Sequence, residues 1–189
     1  ERAAGWMLSA LFYFYDSLVR LRLFPDAAAF EQEQILQRVA ANQEQLAMRA
    51  KHAPMTHLHK WHLVEAERAR VLQREGEARV AYDKAIDLAY QHDYLQDAAL
   101  ANELAARFYH ALGKDRVARL YFMEASASYR KWGALAKVQQ LEARYAQYLA
   151  PPRMDAGTAV PASSALLSTP AMDAAYRAGL NAALVTPES

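Results

Sequence analysis

Between residues 66 and 148 one helix-pair pattern is written twice. The second copy runs almost unbroken from Ala99 to Tyr109, through a Gly113 turn to Val117–Tyr129, and on to Trp132–Val138. In the first copy Ala78, Ala81, Tyr82, Ala85, Ile86, Ala89 and Tyr90 fall at i, +3, +4, +7, +8, +11 and +12, which is the apolar stripe of a single helix face. Residues 115–131 are expected to repeat that helix at an offset of 39, with Tyr121 over Tyr82 and Tyr129 over Tyr90. Small residues such as Ala118 and Ala125 allow close approach, and the tyrosines fill the gaps. A pair of amphipathic helices cannot bury its apolar face alone, so successive pairs stack on one another and offer a surface for binding, not a reactive centre.

Helical periodicity extends to most of the chain, and strand alternation is nearly absent. Residues 2–23 read as an apolar helix closed by Pro25, with Asp26 as the expected cap of a second helix reaching about Lys51. His52-Ala53-Pro54 breaks that helix, because proline lacks the amide donor and clashes with the preceding turn. Thr56 is expected to cap a third helix over 57–73, with Gly76 marking its turn. The fifth helix is expected over 97–112, ended by Gly113 in the left-handed region. Leu135, Val138, Leu141, Tyr145 and Leu149 define a seventh, stopped by Pro151-Pro152. Residues 1–150 therefore read as one all-α domain of stacked antiparallel helix pairs. Residues 151–170, with Pro151, Pro152, Pro161, Pro170 and Gly157, offer no apolar face and read as a linker. A short amphipathic helix, with Met172, Tyr176, Leu180 and Leu184 on one side, is expected within 171–189.

Charge and composition exclude several functions. Lys and Arg total 22 against 21 acidic residues, so there is no excess positive field to gather a phosphate backbone, and nucleic acid is not an expected partner. Cysteine is absent, which removes disulfides, thiolate chemistry and Cys-based zinc sites and is compatible with a reducing cytoplasm. The longest apolar run, Trp6–Val19, is 14 residues and is interrupted by Ser9, Asp16 and Ser17, too short to span a bilayer. Without a basic flank or small-residue cleavage site it is not a secretion signal. Gly113-Lys114 lacks the earlier glycine and the hydroxyl residue of a phosphate-binding loop, and no protein-kinase catalytic loop or histidine-kinase ATP lid occurs. No catalytic, cofactor-binding or metal-ligating residue is expected in this segment.

Two clusters invite sharper readings. His52, His57, His59 and His62 lie within eleven positions, but 57 and 59 point to different sides of a helix, and the 59/62 pair has only Glu65 or Glu67 for a third ligand. Packing and capping roles are the expectation. A phosphate-accepting histidine, with His62 or His110 nominated, requires a four-helix bundle that this pattern does not form. Glu65, Glu67, Arg68 and Arg70 are expected to lace a solvated helix face, each ion pair contributing about 0.3–0.5 kcal/mol.

A family resemblance rests on longer strings: Ala53-Pro-Met-Thr-His-Leu-His-Lys60, Leu63-Val-Glu-Ala-Glu-Arg-Ala-Arg70, Tyr82-Asp-Lys-Ala-Ile86, Ala99-Leu-Ala-Asn-Glu-Leu-Ala-Ala-Arg-Phe-Tyr109 and Tyr129-Arg-Lys-Trp-Gly-Ala-Leu-Ala-Lys-Val138. Roughly residues 11–149 resemble the tetratricopeptide-like helical region of large multidomain sensor histidine kinases. Those proteins join a serine/threonine-kinase-like domain, an AAA- or STAND-type ATPase, this region, a GAF sensor domain and a histidine-kinase core. Met172–Leu184 is similar, more weakly, to the helix leading into the GAF domain, and departs from it at Tyr176 and Arg177.

The resemblance implies a solenoid whose first helices line an inner groove, which makes Lys60, Asn102 and Arg107 the candidate groove contacts. It further implies a cytoplasmic, non-catalytic interaction and relay segment in two-component signalling, with no cofactor of its own and ATP bound elsewhere in the parent. The partners it implies are the adjacent ATPase and GAF domains, with a homodimer of the parent possible. Glu1 enters helical pattern at once, the expectation for a piece of something longer. An alternative places such helices as the sensor domain of a STAND-ATPase transcription regulator, distinguished by a basic helix-turn-helix downstream instead of a GAF domain. A free-standing peptide adaptor is a third reading.

Overall fold

In a computed structural model the described residues are 2–149, with side chains described from Ser9 onward. The expected linker and C-terminal helix lie outside them. Among the described residues every regular element is helical: α1 (Arg2–Leu23), a single 3-10 turn (Phe24–Asp26), α2 (Ala29–His52), α3 (Pro54–Val71), α4 (Glu75–Gln91), α5 (Leu95–Ala111), α6 (Asp115–Trp132), α7 (Leu135–Arg144) and α8 (Ala146–Leu149). Each packs on its immediate neighbours in sequence, most closely α3 on α4 and α5 on α6, while α1 meets α3 and α3 meets α5 past one intervening helix. No helix among the described residues is long and apolar enough to cross a membrane.

The turns set this arrangement. Gln73, Asp93, Gly113 and Gly133 have φ of +60°, +59°, +68° and +89°, spaced 20 residues apart. At each, the next backbone N–H reaches back to the helix just ended: Arg74 to the Ala69 carbonyl, Tyr94 to Ala89, Lys114 to Tyr109 and Ala134 to Tyr129, all at 2.9 Å. These are Schellman closures, in which a left-handed residue turns the chain and satisfies carbonyls that the helix end leaves orphaned. The chain re-enters a helix at once, with the amides of Ala78, Ala98, Ala118 and Val138 bonded to Arg74, Tyr94, Lys114 and Ala134.

Because each helix plus its turn occupies the same length, the buried face returns in phase. Ala78, Ala98, Ala118 and Val138 are buried, as are Ala85, Ala105, Ala125 and Tyr145, and also Tyr82, Asn102 and Phe122. The helix-pair repeat is therefore 40 residues, not 39. Tyr82 corresponds to the fully buried Phe122, while Tyr121 lies beside it, half-buried, donating its hydroxyl to Asp83 of α4 at 2.9 Å. The tyrosine alignment suggested by chemistry gives way to the alignment required by the interior volume.

Several boundaries also differ from expectation for local reasons. Pro54 opens α3, since its missing amide is not needed in a first turn, and the amides of Thr56 and His57 bond to the Ala53 carbonyl; Thr56 is thus inside the helix, not its cap. Asp26 belongs to the 3-10 turn, and α2 is capped instead by Glu31, whose side chain accepts from the Ala28 amide at 3.1 Å. Gly76 lies within the first turn of α4, and the bend it was expected to mark falls at Gln73. The seventh helix breaks at Tyr145 because its last turn serves a different surface. Tyr145 and Tyr148 stack on Phe122 at 4.1 and 5.3 Å between ring centres, and the Tyr148 hydroxyl meets His110 at 2.8 Å and donates to Asp115.

Left-handed backbone costs an L residue about 1–2 kcal/mol and glycine little, against roughly 0.5–1 kcal/mol of extra chain entropy lost by glycine. Gln73→Gly is thus expected to raise stability by about 0.5–1 kcal/mol. Gly113→Ala, with open space around the added Cβ, is expected to lower it by about 1 kcal/mol through backbone strain alone. Urea unfolding followed by circular dichroism reads both, as opposite shifts of midpoint at unchanged slope.

Candidate functional site

The odd-numbered helices α1, α3 and α5 together enclose a cavity of about 320 Å³ lined by Leu18 and Arg22 of α1, Glu67 and Arg70 of α3, and Leu104, Arg107, Phe108 and Ala111 of α5. Three guanidinium groups thus face one carboxylate, and that carboxylate is already saturated. Arg70 reaches Glu67 at 2.7 and 3.0 Å, and the buried Tyr82 of α4 donates its hydroxyl to the other oxygen. Burial favours the neutral form of Arg70, but the charge and hydrogen bonds of Glu67 outweigh it and hold Arg70 above its ordinary value. Burial, followed by the Glu67 charge, pushes the Tyr82 hydroxyl well above the ordinary phenol range, so it stays protonated and remains a donor. Glu67 and Arg70, expected on a solvated face, instead tie α3 to α4. Glu65 and Arg68, 3.5 Å apart, do keep to the looser surface pairing.

The three residues expected to line a groove are separated. Arg107 is half-buried on the cavity wall. Asn102, 1% exposed, points to the other side of α5, donating to the Ala98 carbonyl at 2.9 Å and to the Tyr90 hydroxyl at 3.2 Å, where Tyr90 in turn meets Ser128 of α6 at 2.8 Å. Lys60, 4% exposed, is enclosed between α3 and α5. Its ammonium lies 2.8 Å from Asp97, 3.0 Å from the Thr56 carbonyl and 4.5 Å from the centre of the Tyr94 ring. Arg22 and Arg70 join Arg107 at the cavity. Nothing in the local pattern of α1 signalled Arg22, which reaches the cavity only through the packing of α1 on α3.

His59 completes the buried cluster around Lys60. Its Nε2 is 2.8 Å from Asp97, and its ring stacks on Tyr94 at 4.6 Å. Nδ1 is buried without a hydrogen-bond partner. The Lys60 ammonium also lies 2.9 Å from Nε2; a proton on Nε2 donates to Asp97 and leaves only a bare lone pair at Nδ1, whereas the other tautomer accepts from Lys60 at Nε2 but buries an orphaned donor at Nδ1. Charging the ring would strand a proton at Nδ1, so burial and the Lys60 charge hold His59 below its ordinary 6.5 despite the opposing pull of Asp97. Burial works to raise Asp97, but the His59 and Lys60 hydrogen bonds and the Lys60 charge together keep it below its ordinary value.

The other histidines diverge. His62 faces the α3–α4 crevice with Glu65 and Lys84, and His110 sits at the exposed end of α5. Among the described residues no three His, Cys, Asp or Glu side chains gather in a metal-holding group. The cluster ties helices together, and the cavity can hold a ligand by charge and apolar contact.

Comparison with known proteins agrees with part of the resemblance drawn from the residues. A 62-residue stretch, 33% of the chain, is 45% identical to hybrid signal transduction histidine kinase G of Dictyostelium discoideum. That stretch amounts to 2% of the Dictyostelium protein's length. No family profile and no solved structure matches the chain.

Removing one partner of a buried ion pair strands the other, so Asp97→Ala is expected to cost about 3–5 kcal/mol, while Lys60→Met with Asp97→Leu recovers most of that loss. The pH dependence has one sign. His57, His59 and His62 all lie below 6.5 in the fold, burial being the first cause for each. The unfolded chain therefore binds more protons as pH falls, and stability present above 6.5 declines below it, with a further loss below 3.8 as Asp97 and Asp16 protonate. Urea midpoints measured from pH 7.5 to 5 should fall, and less steeply in His59→Asn.

Proposed function

We propose that this chain is a tetratricopeptide-like, non-catalytic interaction and signal-relay segment of a large ATPase-linked sensor histidine kinase acting in two-component signalling. One observation carries the reading: the in-phase 20-residue helix-turn unit that runs from the end of α3 to the start of α7, with α1 packed on α3 so that α1, α3 and α5 line one cavity. That is the geometry of a scaffold whose first helices line a receptor surface. The 45% identity over 62 residues to a hybrid histidine kinase supports the signalling context, and the resemblance of the longer strings to the helical region of such kinases supports a position between ATPase and GAF domains. Its partners are then the adjoining domains of the same polypeptide, in the cytoplasm. Metals and cofactors have no part in this role.

The purified 189-residue chain is expected to be helical, to hydrolyse no ATP and to take up no label from γ-labelled ATP. It should also be retained on an immobilised protein segment encoded immediately upstream or downstream. ATP turnover by the chain, or indifference to both flanking segments, overturns the reading. A basic helix-turn-helix encoded downstream in place of a sensor domain would favour a STAND-ATPase transcription regulator.

A further inference from the structure

The cavity between α1 and α5 has an excess of positive charge that the fold itself does not use. Arg70 is committed to Glu67, but neither Arg22 nor Arg107 makes a hydrogen bond or ion pair with any described residue, although both line the same space. Unpaired guanidinium groups beside an apolar floor of Leu18, Leu104 and Phe108 form a site for carboxylates borne on something apolar. The volume agrees. At roughly 30 Å³ of liquid per water, 320 Å³ holds about ten waters, far more than one small inorganic anion displaces.

The surface also continues beyond the cavity. Leu11, Tyr15, Leu18 and Arg22 follow each other at +4, +7 and +11, one face of α1. Leu11 is 39% and Tyr15 48% exposed. Burial, and then the charge of Asp97 on α5, raise the Tyr15 hydroxyl above its ordinary value. From Leu11 to Arg22 the helix rises about 17 Å, the span of about five extended residues. An apolar track therefore leads into an arginine-lined end.

We propose that the α1–α3–α5 groove binds an extended acidic peptide segment, its apolar side chains along Leu11, Tyr15 and Leu18 and its carboxylates on Arg22 and Arg107. This rests on the reading of the chain as a binding scaffold and specifies what the groove takes. The occupant is a protein segment rich in alternating acidic and aliphatic residues.

The probe is a fluorescein-labelled ten-residue peptide alternating Glu and Leu, titrated with the full chain by fluorescence anisotropy. Saturable binding is expected, weakened at least tenfold by Arg22→Glu with Arg107→Glu, weakened by added salt, and unchanged by Arg119→Glu on the exposed face of α6. A Lys/Leu peptide of the same length should not bind. Circular dichroism and urea midpoints of the double variant should match those of the parent, which separates lost binding from lost folding. Absence of binding, equal binding by the double variant, or competition by inorganic phosphate as effective as by unlabelled peptide overturns the proposal. A folded chain that ignores the peptide yet is still retained by its flanking segments overturns only the groove assignment, whereas ATP turnover overturns the scaffold itself.

Discussion

Closure of α3, α4, α5 and α6 by left-handed residues spaced 20 positions apart is the constraint on which the rest of this structure depends. A helix turns 100° per residue, so one residue more or less between closures would rotate the next apolar stripe off its neighbour. The three-residue turns after α3, α4 and α5 and the two-residue turn after α6 hold the sum constant: α6 is one residue longer and its turn one shorter. With phase preserved, Ala78, Ala98 and Ala118 are buried at the same position of each unit, and the larger Tyr82 and Phe122 are buried one helix pair apart at equivalent positions. Local hydrogen bonding thereby determines long-range packing, as expected of an array in which each unit touches mainly the next.

Alanine seams alone leave register and partner choice weakly specified, and the buried polar ties correct this. Glu67 joins α3 to Tyr82 of α4, Asp97 joins α5 to His59 and Lys60 of α3, and Glu103 joins α5 to Tyr129 of α6 and Lys137 of α7. Asp97 accepts from two side chains of α3, Glu103 from one each on α6 and α7, and Glu67 from Tyr82 of α4 and Arg70 of its own helix. A slip of one helix against its neighbour leaves a buried charge without its partner, at a cost well above that of losing a surface pair. These ties select one arrangement among several apolar ones.

Much of the fold was legible because its signals are local. The stripe from Ala78 to Tyr90 is a complete helical face, and Gly113 announces its turn. The 20-residue unit was hidden because two of the four closures fall on Gln73 and Asp93, residues with no strong preference for positive φ. The pair offset was misread because Tyr121 and Tyr82 match in chemistry, whereas packing matches Tyr82 with Phe122 by volume. At the candidate site, Arg107 could be read as lying on an inner helix. The burial of Lys60 could not, since it depends on Asp97, 37 residues away on another helix, and Arg22 lies in a segment whose sequence shows only an apolar helix. Nearby pairs such as Glu67 and Arg70 were visible, but their burial follows from Tyr82, which only the folded chain brings over them.

A net charge of +1 conceals two faces of opposite character. The groove side carries Arg22, Arg70 and Arg107, while the crevice over α4 and α6 carries Asp83, Asp87 and Glu124 around Ile86, Val117 and Leu120. The groove face also has the mechanical advantage, because α1 and α5 meet chiefly through α3 and their separation is held by one intermediate helix. Under the proposed relay role, a segment that touched both α1 and α5 would stabilise one spacing over others in proportion to its differential affinity, and neighbour-to-neighbour packing would carry that preference toward α7. A relay of this kind requires no reactive group: it requires a groove that spans helices not otherwise fixed to each other, which is what the unpaired arginines of α1 and α5 border.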